Sequence, residues 1–257
     1  MNRRPRALWA AAIFAYAFLY APLVIVVAYS FNDSKLNAEW VGFTLSWYGK
    51  LFQDEKMLKA AWNSLLIGVT ASAVSTGFGT MAGYAMYRFK MRLLPLLILA
   101  PIAIPEILMG VSLLIFFVLL NISLGMISII LSHVAFCVGF VAIVVRSRLA
   151  GMDESLIEAA RDLGATPWKA FRLVTLPLIM PGVVAGALMA FTLSIDDFVI
   201  TFFTAGVGST TLPLQIYTMV KIAVTPEVNA ISTLLMVLTL ALILIASKLS
   251  PGSLRAQ

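Results

Sequence analysis

Long uncharged apolar runs alternate along this chain with short segments that hold nearly all of its charge. Arg3, Arg4 and Arg6 precede a run that continues to Ser30, and a polar, mixed-charge segment covers 31–59. A second uncharged run extends from Ala60 to Tyr87 and closes on Arg88, Lys90 and Arg92. From Leu93 to Val145 the sole charge is Glu106; at about 20 residues per crossing this stretch holds two spans, with Asn121–Gly125 (NISLG) as the turn between them. Segment 146–172 is charged and helical in pattern. The next run is broken only by Asp196 and Asp197 and ends near Gly206, Gly208 and Pro213. A last run covers Val228 to Ser247. The pattern predicts an all-α membrane protein with six transmembrane helices, at about 7–30, 60–87, 93–120, 126–145, 178–203 and 228–247, in one transmembrane domain over 1–257. The first run is longer than a signal-peptide core of about 7–15 residues and further spans follow, so it reads as an uncleaved span.

Composition agrees with the bilayer as solvent. Hydrophobic residues make up 61% of the chain and charged residues 12%, and mean hydropathy is +0.99; soluble domains carry about 25% charge. The net charge of +6 would suit nucleic acid if it were clustered, but the basic residues sit at the ends of apolar runs, where they set topology. With the N-terminus inside, the internal segments hold Arg3, Arg4, Arg6, Arg88, Lys90, Arg92, Arg146, Arg148, Arg161, Lys169, Arg172, Lys248 and Arg255. The external ones hold Lys35, Lys50, Lys56, Lys59 and Lys221. Both termini are therefore expected in the cytoplasm. The single cysteine, Cys137, excludes an intrachain disulfide, and the single histidine, His133, excludes a multi-histidine metal site. His133 falls inside the fourth span and reads as a neutral imidazole hydrogen-bonded between helices.

The largest internal loop contains EAARDLGATPWKAFRLVTLP at 158–177. Ser155 and Glu158 have capping-box spacing, Gly164 stops a first helix, and Thr166 with Pro167 starts a second. The small residues of the first helix would let a partner approach its backbone closely, whereas an amphipathic helix resting on the membrane is the plainer alternative. The string resembles the EAA signature of binding-protein-dependent ABC importer permeases: Glu158, Ala159, Ala160, Gly164, Leu176 and Pro177 match, and Val174 replaces the usual Ile. That resemblance implies a type I importer permease with a MetI-like fold in a bacterial inner membrane. Its coupling helices lie at about 155–172, and Glu158, Ala159, Ala160, Arg161, Asp162, Leu163, Gly164 and Ala165 contact an ATPase. It also implies two ATPase subunits, a second related permease subunit as heterodimer partner, a periplasmic substrate-binding protein and surrounding lipid, with no nucleic acid. The chain has no Walker A pattern and is not expected to be an enzyme. No cofactor is expected in it, and ATP and Mg belong to the partner ATPases.

Three carboxylates, Glu106, Asp196 and Asp197, lie within expected spans, with no lysine or arginine there to neutralise them. Each costs about 2.5–3.5 kcal/mol at a span centre, so such groups face a bundle interior or a water-filled path. At 1.5 Å per residue, Glu106 lies roughly 20 Å from entry at Leu93 and Asp196 roughly 22 Å from Pro181. Similar depth suits an acidic ring facing incoming cations; a structural polar network is the alternative. Adjacent helical residues point about 100° apart, so Asp196 and Asp197 face one point only where the helix is irregular. One can line the path while the other accepts hydrogen bonds.

Further strings resemble spermidine/putrescine importer permeases: NDSK at 32–35, SWYGKL at 46–51, Pro105–Glu106, LSHVAFC at 131–137, FTLSIDDFVI at 191–200, TLPLQIYTMVK at 211–221 and TPEVNAISTLL at 225–235. By that resemblance Trp47, Tyr48, Glu106, Ser194, Asp196 and Asp197 are substrate-pathway positions, with Glu106 standing where Asp is expected. Carboxylates for amines and aromatics for methylenes suit a flexible polycation. Other organic cations, thiamine-like molecules or iron are the competing cargoes. A secondary transporter or cation channel would also place acids in the membrane, but neither requires the EAA string.

Overall fold

The computed structural model describes residues 6–34, 39–89, 93–223 and 225–249. Of the orienting basic residues, Arg3, Arg4, Lys35, Lys90, Arg92 and Arg255 lie outside these ranges. The chain divides into two compact units, Met1–Leu58 with Gln215–Thr239, and Lys59–Leu214 with Leu240–Gln257.

The first unit opens with α1 (Arg6–Tyr29), apolar along its length, with Phe14, Phe18 and Leu19 exposed. Bare apolar side chains on a helix of this length suit lipid rather than water. The segment after it folds around Asn32. The Asn32 carbonyl accepts from the Trp47 indole at 2.8 Å. Its side-chain amide donates to the Glu39 carbonyl at 2.7 Å and accepts from the Val41 N–H at 2.9 Å. An antiparallel bridge joins Asn32 to Phe43, and α2 (Ser46–Leu51) follows.

The second unit holds most of α3 (Glu55–Arg88), then α4 (Leu93–Ala103), α5 (Glu106–Leu119), α6 (Met126–Ala150), α7 (Ser155–Asp162), α8 (Pro167–Ala170), a π turn at Phe171–Thr175, α9 (Leu176–Ile195) and α10 (Val199–Thr204). The shared elements α11 (Leu212–Ile222) and α12 (Pro226–Leu249) complete the chain. Helix α6 is the axis of the second unit. Phe136, Cys137, Val141, Val145 and Leu149 are buried along it, joined by Ile179 and Ala190 of α9 and Ile200 of α10. Apolar burial gives little drive between helices in lipid, so close contact must supply the attraction. Two glycine pairs at four-residue spacing provide it. A Cβ at Gly83 of α3 would stand 2.8 Å from the Ala142 carbonyl oxygen, and one at Gly79 2.5 Å from the Val141 Cβ. From the α9 side, a Cβ at Gly182 would stand 2.9 Å from the Arg148 Cβ, and one at Gly186 3.1 Å from Val141 Cγ1.

Among the described residues, four helices are long and apolar enough to cross a membrane: Leu8–Tyr29, Glu55–Arg88, Met126–Ala150 and the run Pro167–Ile195. The expected third span, 93–120, is instead two helices, α4 and α5, bent by 103°; counted as one crossing they make a fifth. Proline explains the break: Pro105 has no N–H and its ring keeps Ile104 out of helical geometry. The apolar part of α12, Pro226–Ala241, is shorter. The expected fifth span, 178–203, is also revised. It starts at Pro167, because α8, the π turn and α9 run on without interruption, and it ends at Ile195. The π turn lies just before Pro177, whose missing N–H removes a bond to the preceding helical turn. The turn at 121–125 forms as expected, with Asn121 at φ 55°. Helices α2 and α11 had no counterpart in the hydropathy pattern, being too short or too mixed to register, and α10 is the part of the expected fifth span that lies beyond the break at 196–198.

The packing around α6 is open to test. Gly83→Leu is expected to destabilise the purified chain by about 1–3 kcal/mol through overpacking. Gly77→Ala, at a position with nothing within 4 Å of its Cβ, should be neutral. Thermal unfolding in detergent reads both; equal transitions for the two variants would refute the close-packing account.

Candidate functional site

The expected acidic positions sit at breaks in helices. Helix α9 ends at Ile195, the chain is irregular at Asp196–Phe198, and α10 resumes at Val199. This is the irregularity two adjacent carboxylates require. Asp196 is exposed, whereas the Asp197 side chain is only 6% exposed. Asp197 Oδ1 accepts from the Thr201 N–H at 2.9 Å and from the Thr201 hydroxyl at 3.0 Å. Phe198, at the N-cap position of α10, has no side chain to accept such a bond, and Asp197, the residue before it, takes the free Thr201 N–H of the first turn in its place.

His133 joins this cap to α6. Its Nε2 lies 3.3 Å from Asp197 Oδ1 and 3.0 Å from Thr201 Oγ1, and its Nδ1 lies 2.7 Å from Ser194 Oγ. A neutral ring with its proton on Nε2 satisfies every partner: Nε2–H donates toward Asp197 and Thr201, and Nδ1 accepts from the Ser194 hydroxyl. His133, Ser194 and Thr201 are all buried. The network holds α6, the end of α9 and the start of α10 together, as expected for the histidine. The histidine's partners were not named from sequence. The Asp-x-x-x-Thr spacing from Asp197 to Thr201, after an apolar run, was the available signal.

Glu106 occupies the other break. It is the first residue of α5, exposed, just past the 103° bend. A carboxylate in the first turn is favoured by the helix dipole. Helix α5 packs on α10 so closely that a Cβ at Gly110 would meet Phe203 Cδ2 at 2.6 Å. The helix that begins at Glu106 is thus braced on the helix that Asp197 caps. Of the expected pathway residues, Glu106 and Asp196 present free surface, while Ser194 and Asp197 are spent in the polar network. Trp47 and Tyr48 belong to the first unit and serve its loop. Trp47 is buried, with Lys50 Nζ 4.1 Å from its ring centre, and the Tyr48 hydroxyl pairs with Ser30 Oγ at 2.7 Å.

The second candidate site is the hairpin of α7 and α8. Ser155 is not the cap expected of it: it is the first residue of α7, and no side-chain bond caps the residue before it. The Asp153 carboxylate instead accepts from the Ser155 N–H at 3.0 Å. Bonds from the Ser155 hydroxyl and N–H hold that carboxyl below the usual carboxylate range. The far end closes as expected. Gly164 adopts φ +83°, its N–H bonds the Arg161 carbonyl at 2.9 Å, and the Ala165 N–H bonds the Ala160 carbonyl at 3.0 Å. This pair of bonds needs a left-handed residue, which glycine supplies without strain. Thr166 then caps α8 by accepting from the Lys169 N–H at 3.3 Å, with Pro167 in the first turn. Glu158, Ala159, Arg161, Asp162 and Gly164 are exposed, Ala160 and Ala165 are partly covered, and Leu163 is 90% exposed. The hairpin therefore offers a small-residue surface tipped by a bare leucine.

Residues 75–251 match the family model described as binding-protein-dependent transport system inner membrane component. The chain is 44% identical over 237 residues to the spermidine/putrescine transport system permease protein PotC of Escherichia coli (strain K12), covering 91% of this chain and 89% of that protein. It is 43% identical over 250 residues to the putrescine transport system permease protein PotI of the same strain, covering 92% and 89%. Among solved structures it resembles a bacterial alginate ABC transporter in complex with an alginate pentasaccharide-bound periplasmic protein (TM-score 0.72, 17% identity, 95% of this chain and 92% of that one). It also resembles the inward-facing MetNI methionine ABC transporter (TM-score 0.62, 23% identity, 79% and 100%). At these identities the two structures bear on the fold, which is that of ABC importer permeases.

The division of labour between the two aspartates is testable in the isolated chain. Asp197→Ala strands the buried His133 and Thr201 groups and is expected to cost about 1–3 kcal/mol. Asp196→Ala, at an exposed position, should stay within about 0.5 kcal/mol. Thermal denaturation in detergent distinguishes them; equal losses would contradict the cap assignment.

Proposed function

The chain belongs to the family of binding-protein-dependent transport system inner membrane components, and from that premise we propose that it is the permease subunit of an ATP-driven importer that carries polyamines into the cytoplasm. A member of this family is a multi-pass inner-membrane protein and a permease, not itself an enzyme. Spermidine and putrescine as cargo rest on the likeness, over nine-tenths of the chain, to permeases named for them. The site chemistry agrees. Glu106 and Asp196 are exposed carboxylates at two helix breaks, where backbone and side chains can exchange water for an ammonium group.

The proposal extends to topology. We read six crossings: α1, α3, the bent α4–α5 pair, α6, the run Pro167–Ile195, and α12. An even number leaves both termini on one side, and the basic residues assign that side to the cytoplasm. The α7–α8 hairpin then faces the cytoplasm, where an ATPase subunit receives its small-residue surface. A second, related permease faces this one across the path, two ATPases supply ATP and Mg chemistry, and a periplasmic binding protein delivers the cargo.

Transport follows as alternating access. Closure of the ATPases moves the hairpin, and the hairpin moves the spans continuous with it, α6 and α9. An ammonium cargo released from the binding protein meets Glu106 and Asp196. Asp197 stays locked by His133 and Thr201, so the break keeps its shape while Asp196 exchanges partners. Selectivity belongs mainly to the binding protein, and the permease need hold the cation only loosely.

The test is the complete complex in nanodiscs, with the binding protein loaded with spermidine, putrescine or nothing. Loaded binding protein is expected to stimulate ATP hydrolysis. Asp196→Asn should cut polyamine uptake about tenfold, as loss of one charged partner would, and Glu158→Lys should abolish stimulation. ATPase stimulation that ignores both polyamines would keep the importer and reject the cargo, bringing forward another organic cation or iron. No stimulation in any arm would reject the importer.

A further inference from the structure

The α7–α8 hairpin is joined by chain to α6 on one side and α9 on the other. Helix α3 has no such link nearby, so any motion it shares with the hairpin passes through its packing on α6 or through side-chain contacts with the hairpin itself. Two tyrosines of its last turns make that connection. Tyr84 and Tyr87, three residues apart, lie on one face of α3. The Tyr87 hydroxyl donates to Glu154, the residue just before α7. The Tyr84 ring meets Phe171 edge-on, with centroids 4.9 Å apart at 67°. Phe171 opens the π turn and stacks at 5.8 Å on Trp168 of α8. Each arm of the hairpin is thus tied to α3, the first by a charge-assisted hydrogen bond and the second by an aromatic contact.

The end of α3 that carries these tyrosines is itself fixed. Gly83, beside Tyr84, sits where a Cβ would stand 2.8 Å from the Ala142 carbonyl of α6. A push on the hairpin at this point meets a rigid pair of helices. The route into α9, by contrast, passes through the π turn and Pro177, where the regular ladder of helix bonds is interrupted. A cleft of about 140 Å³ lies between the hairpin and α3, lined by Tyr84, Tyr87, Glu154, Glu158, Arg161 and Phe171 among others.

We propose that Tyr87 and Tyr84 are positioning residues for energy coupling: they brace the hairpin against α3, so that its displacement moves α3 together with α6 and α9. The proposal rests on the reading of 155–172 as the segment that meets the ATPase. Without the brace, the hairpin can follow the ATPase while the α3–α6 pair lags, and ATP is hydrolysed with less cargo moved.

The experiment measures spermidine uptake and ATP hydrolysis by the complete complex in vesicles, driven by spermidine-loaded binding protein. The variants are Tyr87→Phe, Glu154→Ala, the double variant and Glu154→Gln. Copurification of the ATPase and the thermal transition are recorded for each. Tyr87→Phe and Glu154→Ala are each expected to lower the uptake per ATP about fivefold, with the ATPase still copurifying and the transition unmoved. The double variant should be no worse than either single one, because both remove the same bond. Glu154→Gln, whose amide oxygen still accepts from the tyrosine hydroxyl, should recover most of the ratio. An unchanged ratio in both single variants, multiplicative losses in the double, or a fall explained by lost stability or lost ATPase would overturn the brace. Glu158→Lys runs beside them: if it leaves ATPase association and stimulation intact, the coupling reading itself falls, whatever the tyrosine variants do.

Discussion

Close approach of backbones around α6 is the constraint on which the second unit depends. In lipid an apolar side chain gains little by turning inward, because hydrocarbon surrounds the helix on every side. Attraction has to come from dense van der Waals contact and from polar groups that lipid cannot satisfy. Gly79 and Gly83 admit α3 to the α6 backbone, and Gly182 and Gly186 admit α9. With α6 so held, its buried face can carry His133 to a fixed place, and its C-terminal end can anchor the hairpin.

The polar network at His133 is the second kind of attraction, and it explains how the chain tolerates a broken helix between α9 and α10. Backbone groups exposed by a break cost several kcal/mol each if nothing bonds them. Asp197 satisfies the start of α10, His133 and Thr201 hold Asp197, and Ser194 holds His133. The result leaves one carboxylate of the pair committed and the other, Asp196, exposed. Glu106 repeats the pattern at the α4–α5 bend, where Pro105 makes the break and α5 begins on an acid. Two helix breaks in an otherwise apolar bundle thus each carry an exposed carboxylate.

The sequence carried the class of the protein and the hairpin almost completely. Gly164, Thr166 and Pro167 act as their chemistry requires, since caps and left-handed turns are local events that need no distant partner. Ser155 was misread because capping-box spacing says which residues can pair, not whether a nearby Asp153 will take the N–H first. Two expected spans proved to be broken, one at Pro105 and one after Ile195. Hydropathy registers how apolar a stretch is but not whether its backbone ladder is intact, so the bend at Pro105 and the end of α9 at Ile195 were invisible to it.

Asp196 and Asp197 mark the boundary between the two levels. Sequence alone determined that a pair of carboxylates in an apolar run must be paired, solvated or functional, because an uncompensated charge in hydrocarbon is too costly to keep. It also determined that a regular helix could not point both at one place. Which aspartate stays free was decided by tertiary structure, because the choice depends on His133, 64 residues before Asp197 in the chain and brought within bonding distance only when α6 and α9 pack together at Gly182 and Gly186. Burial, partner and orientation are properties of that contact, and no window of local sequence contains it.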